Sequence, residues 1–517
     1  MITKKWILNG IYLVIALLAF SFSLFKYDNQ VWIAAWIGPV FLIRFMRTNK
    51  WVPAAILGFV VLQIAVALGM IPMIASMDAE TNMTGNMDPS FIIAGSVKAG
   101  TMFLALLFLV PFVLDKAIYK HLPKSVSHLI FPSGIVAVEL FYSTKIGTLF
   151  CFGQSQLALP PLVMAASIFG MLGLSFLITW FAPMINSLWE ENWDIKKLGT
   201  SGFVYLSVMT LILTYGAVAV VFPQKTDKTV PVAGILLNAN FEGRLFATGF
   251  NFVDPDVKPD EYISQLSSPS SHLQEMHTKT LAAIEAGAKI IIWQEYALTL
   301  ESTVADTLLQ EMKYLADQED VYLLISYGRI LNEAEKTEKI MKNISVLFTP
   351  EGETGWEYEK AYPTPGEDLA VAAGSKIIPY LDTPYGRIGQ ATCFDLHFPQ
   401  YIRQASVKNI DVLLDPSVDG SAYTPLHTFN AGYRAVENGF TLVRVTGDGY
   451  SAVLDPYYRL WSAQHTFEQG TDNFYYNVPV VSKKTVYANI GFIFPYAVVL
   501  LLISLIIPAV VKATKKS

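Results

Sequence analysis

The alternation of long apolar runs with one long polar stretch constrains this 517-residue chain more than any other feature. A helix needs about 20 apolar residues to cross the hydrocarbon core of a bilayer. Such runs lie near residues 6–25, 31–46, 51–75, 91–114, 127–143, 158–186, 201–222 and 488–511. The pattern predicts a membrane domain of about seven transmembrane helices over residues 1–222, and a final transmembrane helix with a cytoplasmic tail over residues 487–517.

The charged residues mark residues 223–486 as a different kind of domain. This segment contains 21 Lys and Arg against 34 Asp and Glu, whereas residues 1–222 contain 13 against 9. It is predicted to be water-soluble, and it is long enough for one large core. Its acidic balance excludes nucleic acid as a partner, because phosphate binding needs a basic surface. The chain as a whole is only 15% charged, against about 25% in soluble proteins, which excludes an ordinary soluble enzyme.

The distribution of lysine and arginine predicts the orientation in the membrane. Basic residues are concentrated at the N-terminus, in alternate short loops and in the C-terminal tail, while the other loops contain only Lys26, Lys98 and Lys145. Because short cytoplasmic loops carry the excess of Lys and Arg, we expect both termini in the cytoplasm. The soluble domain is then expected on the extracytoplasmic side.

The pattern of residues 229–480 is typical of a layered α/β domain. Strands are predicted at 232–237, 289–293, 321–326, 344–348, 387–392, 412–414 and 441–445, and helices at 271–287, 303–317, 399–408 and 425–438. Several strands are continuous apolar runs, as in a sheet that is buried on both faces. Residues 238–270 form a connection too long for an ordinary loop, and we interpret them as a candidate lid.

Three polar residues lie where predicted strands end: Glu295, Lys360 and Cys393. The ends of strands can converge across a sheet, and a carboxylate, an ammonium and a thiol together form a nucleophilic site. The carboxylate can take the thiol proton, and the ammonium can lower the thiol pKa and stabilise an oxyanion. Each residue alone also has a structural explanation, as a helix cap, a surface charge and a buried core cysteine. The only other cysteine is Cys151, so the chain has no disulfide framework.

The segments around these residues resemble the nitrilase, or carbon–nitrogen hydrolase, superfamily, whose members use a Glu-Lys-Cys triad in this chain order. Trp293-Gln294-Glu295 is similar to the W-P-E segment of that family. Lys360 with Pro365-Gly366-Glu367 is similar to K…P-x-G-E, and residues 393–399 are similar to C-[YF]-[DE]-x-x-F-P. Residues 434–439 and 444–451 are similar to its R-A-x-E and R-x-T-x-x-G-x-S stretches.

A nitrilase-like domain between about seven spans and a last span resembles the bacterial apolipoprotein N-acyltransferase family. Residues 139–141, 153–156 and 170–176 follow one another in an order similar to the membrane region of that family, and His427 precedes Arg434 in a similar H-x6-R-A-x-E spacing. The chain departs from the family at Asp395, where Glu is usual, and at residues 415–420, which match N-D-x-W-F-G only loosely. The resemblance implies a polytopic helical membrane domain and an αββα sandwich over residues 223–486.

The resemblance also implies a reaction, at the outer face of a bacterial cytoplasmic membrane. A fatty acyl chain passes from a glycerophospholipid to Cys393 as a thioester, and then to the N-terminal amine of a diacylglyceryl-cysteine apolipoprotein. Glu295 is then the base, Lys360 stabilises the oxyanion and Glu367 orients Lys360. The implied partners are the phospholipid donor, the apolipoprotein acceptor and the bilayer, and a monomer without metal or organic cofactor is expected.

The resemblance also covers the two residues after the cysteine, and the sequence leaves two alternative functions open. Phe394 and Asp395, which follow the cysteine, are expected to shape the pocket. The first alternative is a membrane-tethered amidase or phospholipid acyl hydrolase with water as the acceptor, which the nitrilase-like Asp395 favours. The second is an inactive binding or scaffold protein, in which Cys393 has no chemical role.

Overall fold

The computed structural model describes residues 2–24, 30–81, 89–237, 268, 270–332, 339–365, 367–420 and 423–514. Most of the candidate lid of residues 238–270, namely 238–267 and 269, lies outside this part of the chain. The chain divides into two compact units, one of residues 1–74, 87–223 and 485–517, and the other of residues 75–86 and 224–484.

The first unit is helical. Its helices before the second unit are α1 (Ile2–Ser23), α2 (Ala34–Thr48), α3 (Trp51–Thr81), α4 (Pro89–Ile118), α5 (Lys124–Ser127), α6 (Ile130–Ile146), α7 (Pro160–Val163), α8 (Ala166–Glu190) and α9 (Gly199–Val221). Short 3-10 helices lie at Tyr119–His121, Phe152–Gln156 and Ile195–Leu198.

Within the described residues, seven helical stretches are long and apolar enough to cross a membrane. They are Lys5–Ser23, Trp51–Gly69, Thr101–His121, Lys124–Ile146, Ala166–Glu190, Ile195–Val221 and Ile493–Lys512. The predicted run at 31–46 coincides with α2, which has 15 residues. At 1.5 Å per residue α2 is about 22 Å long, which is shorter than a hydrocarbon core of about 30 Å. The chain is therefore a multi-pass membrane protein, and the predicted run at 31–46 is not among the seven candidate spans of the described residues.

The second unit contains two β-sheets. Its strands are β1 (Thr229–Ile235), β2 (Ile290–Trp293), β3 (Leu298–Glu301), β4 (Tyr322–Ile330), β5 (Met341–Phe348), β6 (Thr354–Glu359), β7 (Val371–Ala372), β8 (Tyr380–Thr383), β9 (Gly386–Gln390), β10 (Val412–Val418), β11 (Thr441–Gly447), β12 (Tyr450–Leu454), β13 (Leu460–His465) and β14 (Phe474–Pro479). The first sheet has the order β14-β1-β2-β4-β5-β6, with β3 beside β4 and β7 beside β5, and the second has the order β13-β12-β11-β10-β9-β8.

The helices of the second unit are α10 (Ser270–Glu285), α11 (Ser302–Gln318), α12 (Glu367–Ala370), α13 (Pro399–Val407), α14 (Leu426–Asn438) and α15 (Thr466–Gln469). Two more helices, α16 (Val486–Ile490) and α17 (Ile493–Thr514), belong to the helical unit. Each predicted strand and helix of the soluble domain coincides with an observed one. The short strands β3, β7 and β8 and the antiparallel strands β6 and β12–β14 were not predicted.

The side chains of β2 explain why the two sheets pack face to face. Ile290 and Ile292 belong to the apolar layer between the sheets, together with Val412 and Val443 of the second sheet. The alternate residues of β2 face a second apolar layer, which α10 and α11 contribute to. Because successive strand side chains point to opposite faces, a continuous apolar run buries both faces, and each fully buried Ile contributes about 1.5–3 kcal/mol. With α14 packed on β11 and β12, the layers form the predicted αββα sandwich.

Candidate active site

Glu295, Lys360 and Glu367 form one buried ionic network. Glu295 lies just after β2, Lys360 directly follows β6, and Glu367 is the first residue of α12. The Nζ atom of Lys360 donates to Oε1 of Glu295 and to Oε2 of Glu367, at 2.8 Å each. None of the three side chains is more than 3% exposed. The structure thus brings two of the predicted catalytic residues and the predicted orienting residue into direct contact.

Neutral donors hold both carboxylates of this network in place. The side-chain amide of Asn343 in β5 donates to Oε1 of Glu295 at 2.7 Å and to Oε1 of Glu367 at 3.2 Å. The Tyr296 hydroxyl donates to Oε1 of Glu367 at 2.5 Å, and the Thr364 N–H donates to Oε2 at 2.8 Å. Sequence reasoning missed Asn343 and Tyr296. An amide inside an apolar strand was the available signal for Asn343, since buried polar groups need partners.

Cys393 occupies a sharp turn after β9. It opens a 3-10 helix, Cys393–His397, and its φ of +49° lies in the left-handed region, which is rare for residues other than glycine and is typical of strained functional positions. Its N–H donates to Oδ1 of Asp415 at 2.7 Å. The thiol is buried and lies 3.6 Å from the carbonyl oxygen of Val418. Cys393 and Cys151 are not joined in a disulfide.

Val418, at the end of β10, connects the cysteine to the ionic network. Its N–H donates to Oε2 of Glu295 at 3.0 Å, and its carbonyl oxygen accepts from the Cys393 thiol. One residue of the second sheet therefore contacts both the carboxylate from the first sheet and the thiol, through the two peptide groups on either side of its Cα. The chain positions that sequence reasoning selected converge between the ends of β2 and β10. The role of Val418 could not be predicted, because it uses backbone atoms alone.

Burial and the charges of the network set the protonation states. Burial raises the pKa of Glu295 above its ordinary value, although Lys360 opposes this. Burial would lower the pKa of Lys360, but the carboxylates of Glu295 and Glu367 outweigh it and hold that pKa well above the ordinary value. Lys360 is therefore an ammonium, and Glu295 has an increased affinity for a proton.

Burial dominates the protonation of the thiol. Burial, and then the negative charge of Glu295, raise the pKa of Cys393 well above that of a free cysteine. Lys360 lowers this pKa, in the expected direction, but offsets only part of the rise. The resting nucleophile is a protonated thiol, so its activation requires a base.

A second buried charged group is centred on Arg444. It includes Asp415, which also accepts from the Cys393 N–H. Arg444 of β11 donates to Oδ2 of Asp415 and, at 2.9 Å, to Oδ1 of Asp419. Nδ1 of His427, at the start of α14, lies 2.6 Å from the same Asp419 oxygen. Ligand-type atoms of Cys393, Asp419 and His427 lie within 4.8 Å of one another, the one such group among the described residues. The guanidinium of Arg444 disfavours a metal cation there, because it already neutralises Asp419.

Asp395 and Phe394 stabilise the turn that carries the cysteine. The Asp395 carboxylate accepts from the N–H groups of Thr392 and Tyr362, at 2.9 and 2.8 Å, and from the Tyr358 hydroxyl. Burial raises the pKa of Asp395 to about 7. The Phe394 ring lies edge-on to the ring of Phe398, with 5.4 Å between the centroids. The contacts of Asp395 are thus those of an anchor for the 3-10 helix.

Comparisons with known proteins agree with this fold. Residues 263–477 match the carbon–nitrogen hydrolase family. An apolipoprotein N-acyltransferase of Rickettsia typhi is 24% identical over 345 residues, covering 60% of this chain and 61% of that protein. One of Shewanella oneidensis is 23% identical over 361 residues, covering 64% of each. An (R)-stereoselective amidase of a Pseudomonas species is 28% identical over 202 residues, covering 37% of this chain and 66% of the amidase.

Two solved structures are also similar to part of this chain. An amidase from Nesterenkonia sp. has a TM-score of 0.38 and 18% identity, and the match covers 51% of this chain and 93% of the amidase. Saccharomyces cerevisiae Nit3, a member of the nitrilase superfamily, has a TM-score of 0.38 and 19% identity, over 52% of this chain and 94% of Nit3. The matched region spans less than two thirds of the length of the two acyltransferases.

Proposed function

We propose that this chain is an acyltransferase that works through a thioester on Cys393. It contains a carbon–nitrogen hydrolase domain and is a homologue of apolipoprotein N-acyltransferases. The donor is a glycerophospholipid, and the acceptor is the N-terminal amine of a diacylglyceryl-cysteine apolipoprotein. The observation that carries this proposal is the buried Glu295–Lys360–Glu367 network, which the backbone of a single residue, Val418, connects to a protonated thiol. We place this site on the extracytoplasmic side of the membrane.

In the first half-reaction, Glu295 takes the thiol proton as the sulfur attacks the ester carbonyl of the donor. Burial raises the pKa of both groups, and the raised pKa of Glu295 makes it a stronger base towards the thiol proton than an exposed glutamate would be. The protonated Glu295 then gives this proton to the departing lysophospholipid alkoxide. The acyl group remains on Cys393 as a thioester.

Lys360 stabilises the oxyanion in both half-reactions. An ammonium has three N–H donors, and two of these are directed at Glu295 and Glu367, which leaves the third for the substrate oxygen. The N–H of Cys393 is engaged by Asp415. The ammonium is therefore the main candidate donor, and Glu367 fixes its direction. A preorganised donor in a water-excluded site is worth about 2.7–4 kcal/mol of transition-state stabilisation.

The helical unit gives a physical reason for the lipid substrates. Moving an acyl chain from a bilayer into water costs about 0.8 kcal/mol per CH₂, so a soluble domain alone would pay this cost for every turnover. Seven apolar helices hold the catalytic domain to the membrane, which keeps both lipid substrates within reach. A nitrilase-type hydrolase that acts on small amides has no such requirement.

A hydrolase with water as the acceptor is the second candidate. The similarity to an (R)-stereoselective amidase favours it, as does Asp395 in place of the usual Glu. It shares the thioester with the first proposal and differs only in the group that attacks it.

Intact mass spectrometry of the full chain in detergent tests both candidates. The protein is incubated with phospholipid beside its Cys393→Ala variant, and a diacylated lipopeptide with a free amino terminus is then added. We expect a hydroxylamine-sensitive acyl adduct on Cys393 that moves to the peptide amine. An adduct that decays to free fatty acid and leaves the peptide unmodified supports the hydrolase, and the absence of any adduct overturns both candidates.

A further inference from the structure

We propose that Asp419 and His427 form a second proton-transfer pair at Cys393, in which His427 carries the proton of the attacking acceptor to the departing thiolate. This inference rests on the thioester chemistry proposed above. It adds a step that the Glu-Lys-Cys set does not contain, and it applies whether the acceptor is an amine or water.

The first support is the position of the pair. Nδ1 of His427 lies 2.6 Å from Oδ1 of Asp419, and an imidazole nitrogen, a carboxylate oxygen and the Cys393 sulfur all lie within 4.8 Å of one another. A carboxylate that orients an imidazole beside a nucleophile is the arrangement of a Ser-His-Asp or Cys-His-Asp site. No motif of the Glu-Lys-Cys mechanism requires it.

The second support is the anchoring of Asp419. Arg444 donates to the same Oδ1 atom at 2.9 Å, and the N–H of Asp419 donates to the Gly447 carbonyl oxygen at 3.0 Å. Burial would raise the pKa of Asp419, but Arg444 and His427 outweigh it and lower that pKa. Nδ1 of His427 also lies 3.2 Å from Nη2 of Arg444, but the Asp419 oxygen is closer, at 2.6 Å. The shorter contact favours a proton on Nδ1 that the Asp419 carboxylate accepts, which leaves the lone pair of His427 on Nε2.

The groups around His427 leave it as the single imidazole that can take this proton. The His397 ring stacks on the His427 ring, with 4.4 Å between the centroids. Burial, followed by the charges of His427 and Arg444, lowers the pKa of His397 well below its ordinary value, so His397 stays neutral. The Tyr423 ring is a further neighbour of His427, at 5.9 Å between the centroids.

The two half-reactions then use two different bases. In the first, Glu295 moves the thiol proton to the leaving alkoxide. In the second, the acceptor nitrogen bonds to the carbonyl carbon, the carbon–sulfur bond breaks, and the nitrogen loses a proton to Nε2 of His427. The resulting imidazolium returns that proton to the Cys393 thiolate, so the net change is thioester plus amine to amide plus thiol.

A non-lipid substrate pair separates this step from the identity of the natural substrates. p-Nitrophenyl butyrate acylates Cys393 with a leaving group that needs no protonation, and the burst of p-nitrophenolate measures the first half-reaction. Glycinamide is the acceptor, and intact mass spectrometry follows the decay of the butyryl adduct. EDTA is present throughout, because a thiol, a carboxylate and an imidazole can also bind Zn²⁺.

We expect His427→Gln to keep the burst within about twofold and to slow the decay of the adduct by about 100-fold or more, the usual range for a lost general base. Asp419 acts through His427 and is a positioning residue, so Asp419→Asn is expected to show the same split, because the amide favours the wrong tautomer. The exposed His277 is the matched control, and His277→Gln should change neither half-reaction.

Three results would overturn the inference: an unchanged decay in His427→Gln, an equal loss of burst and decay in both variants, or a wild-type protein that forms no adduct. The burst also reports folding, since an unfolded variant has none. If the wild-type adduct decays normally with glycinamide but never reaches the lipopeptide amine, the proposed function fails. In that case the role of His427 is still tested, because a slow decay of the butyryl adduct in His427→Gln does not depend on the natural acceptor.

Discussion

Replacing Lys360 by Met should destabilise the catalytic domain by about 3–5 kcal/mol, the cost of removing one partner from a buried ion pair. Its ammonium lies 2.8 Å from two carboxylates, and all three side chains are at most 3% exposed. Without Lys360, Glu295 and Glu367 face each other without a counter-charge, so both of their pKa values rise. Adding Glu367→Gln removes that repulsion, and we expect the double variant to recover at least about 1 kcal/mol of the loss.

Lys342 provides the matched control. Its ammonium lies 2.7 Å from Glu359, but the Lys342 side chain is 36% exposed, so Lys342→Met should cost less than about 1 kcal/mol. The free energy of unfolding is measured by urea titration and pulse proteolysis of the full chain in detergent. Equal losses for Lys342→Met and Lys360→Met, or no recovery on adding Glu367→Gln, would refute the electrostatic explanation.

The loss in Lys360→Met should also depend on pH. Above pH 4.5 the folded variant binds more protons than the unfolded chain, because both carboxylates have raised pKa values, so its stability falls as pH rises. The wild-type ammonium, with its raised pKa, contributes constant stability until the pH approaches 10.5. The difference between the two proteins should therefore be smaller at pH 5 than at pH 8.

Three further predictions test other contacts. Asn343→Leu removes a donor from both carboxylates and should slow acylation of Cys393 about tenfold or more, measured as the burst rate. Burial raises the pKa of Asp395 to about 7, so the stability that its protonated form contributes is lost as the pH rises from 5 towards 7. Asparagine does not titrate, so Asp395→Asn should gain up to about 3 kcal/mol relative to wild type between pH 5 and pH 8, measured by urea titration. In the helical unit, a Cβ at Gly216 would lie 1.7 Å from the Pro161 carbonyl oxygen, whereas one at Gly10 would meet nothing within 4 Å. Gly216→Ala should therefore lower the melting temperature in detergent and Gly10→Ala should not.

The sandwich could be predicted because its central strands are continuous apolar runs, a pattern that identifies strands buried on both faces. The run Ile290–Trp293 is apolar at every position and is buried at every position, so its length and its β-branched residues identify a central strand. Edge strands give no such signal. β13, Leu460–His465, is exposed or half-buried throughout, and its place in the sheet depends on pairing with β12, which is not a local property of its residues.

The same distinction separates the site residues that sequence reasoning found from those it missed. Glu295, Lys360 and Cys393 follow strands, so the chain order of the strands was enough to suggest that they meet. Asn343 and Val418 act from within strands. The contact of Asn343 with Glu295 depends on the strand order β2-β4-β5 within one sheet, and that of Val418 depends on how the two sheets are aligned. That alignment is set by packing across the sandwich, which no local pattern records.

The departures of the sequence from the acyltransferase pattern do not carry equal weight for the choice of acceptor. The carboxylate of Asp395, the more conspicuous departure, accepts from three donors that hold the 3-10 helix. An exchange of Asp and Glu at this position therefore changes the geometry of the turn first, and affects a substrate only through the turn. Asp419 lies in the loosely matching segment, and its partner His427 comes within 4.8 Å of the sulfur that carries the acyl carbonyl which the acceptor must attack. If the acceptor of this chain differs from that of its relatives, residues 415–420 are therefore the stronger candidate for the cause. Exchanging Asp419, rather than Asp395, should change the ratio of aminolysis to hydrolysis of the thioester, and an altered ratio in Asp395→Glu with an unchanged one in Asp419→Asn would reverse this assignment.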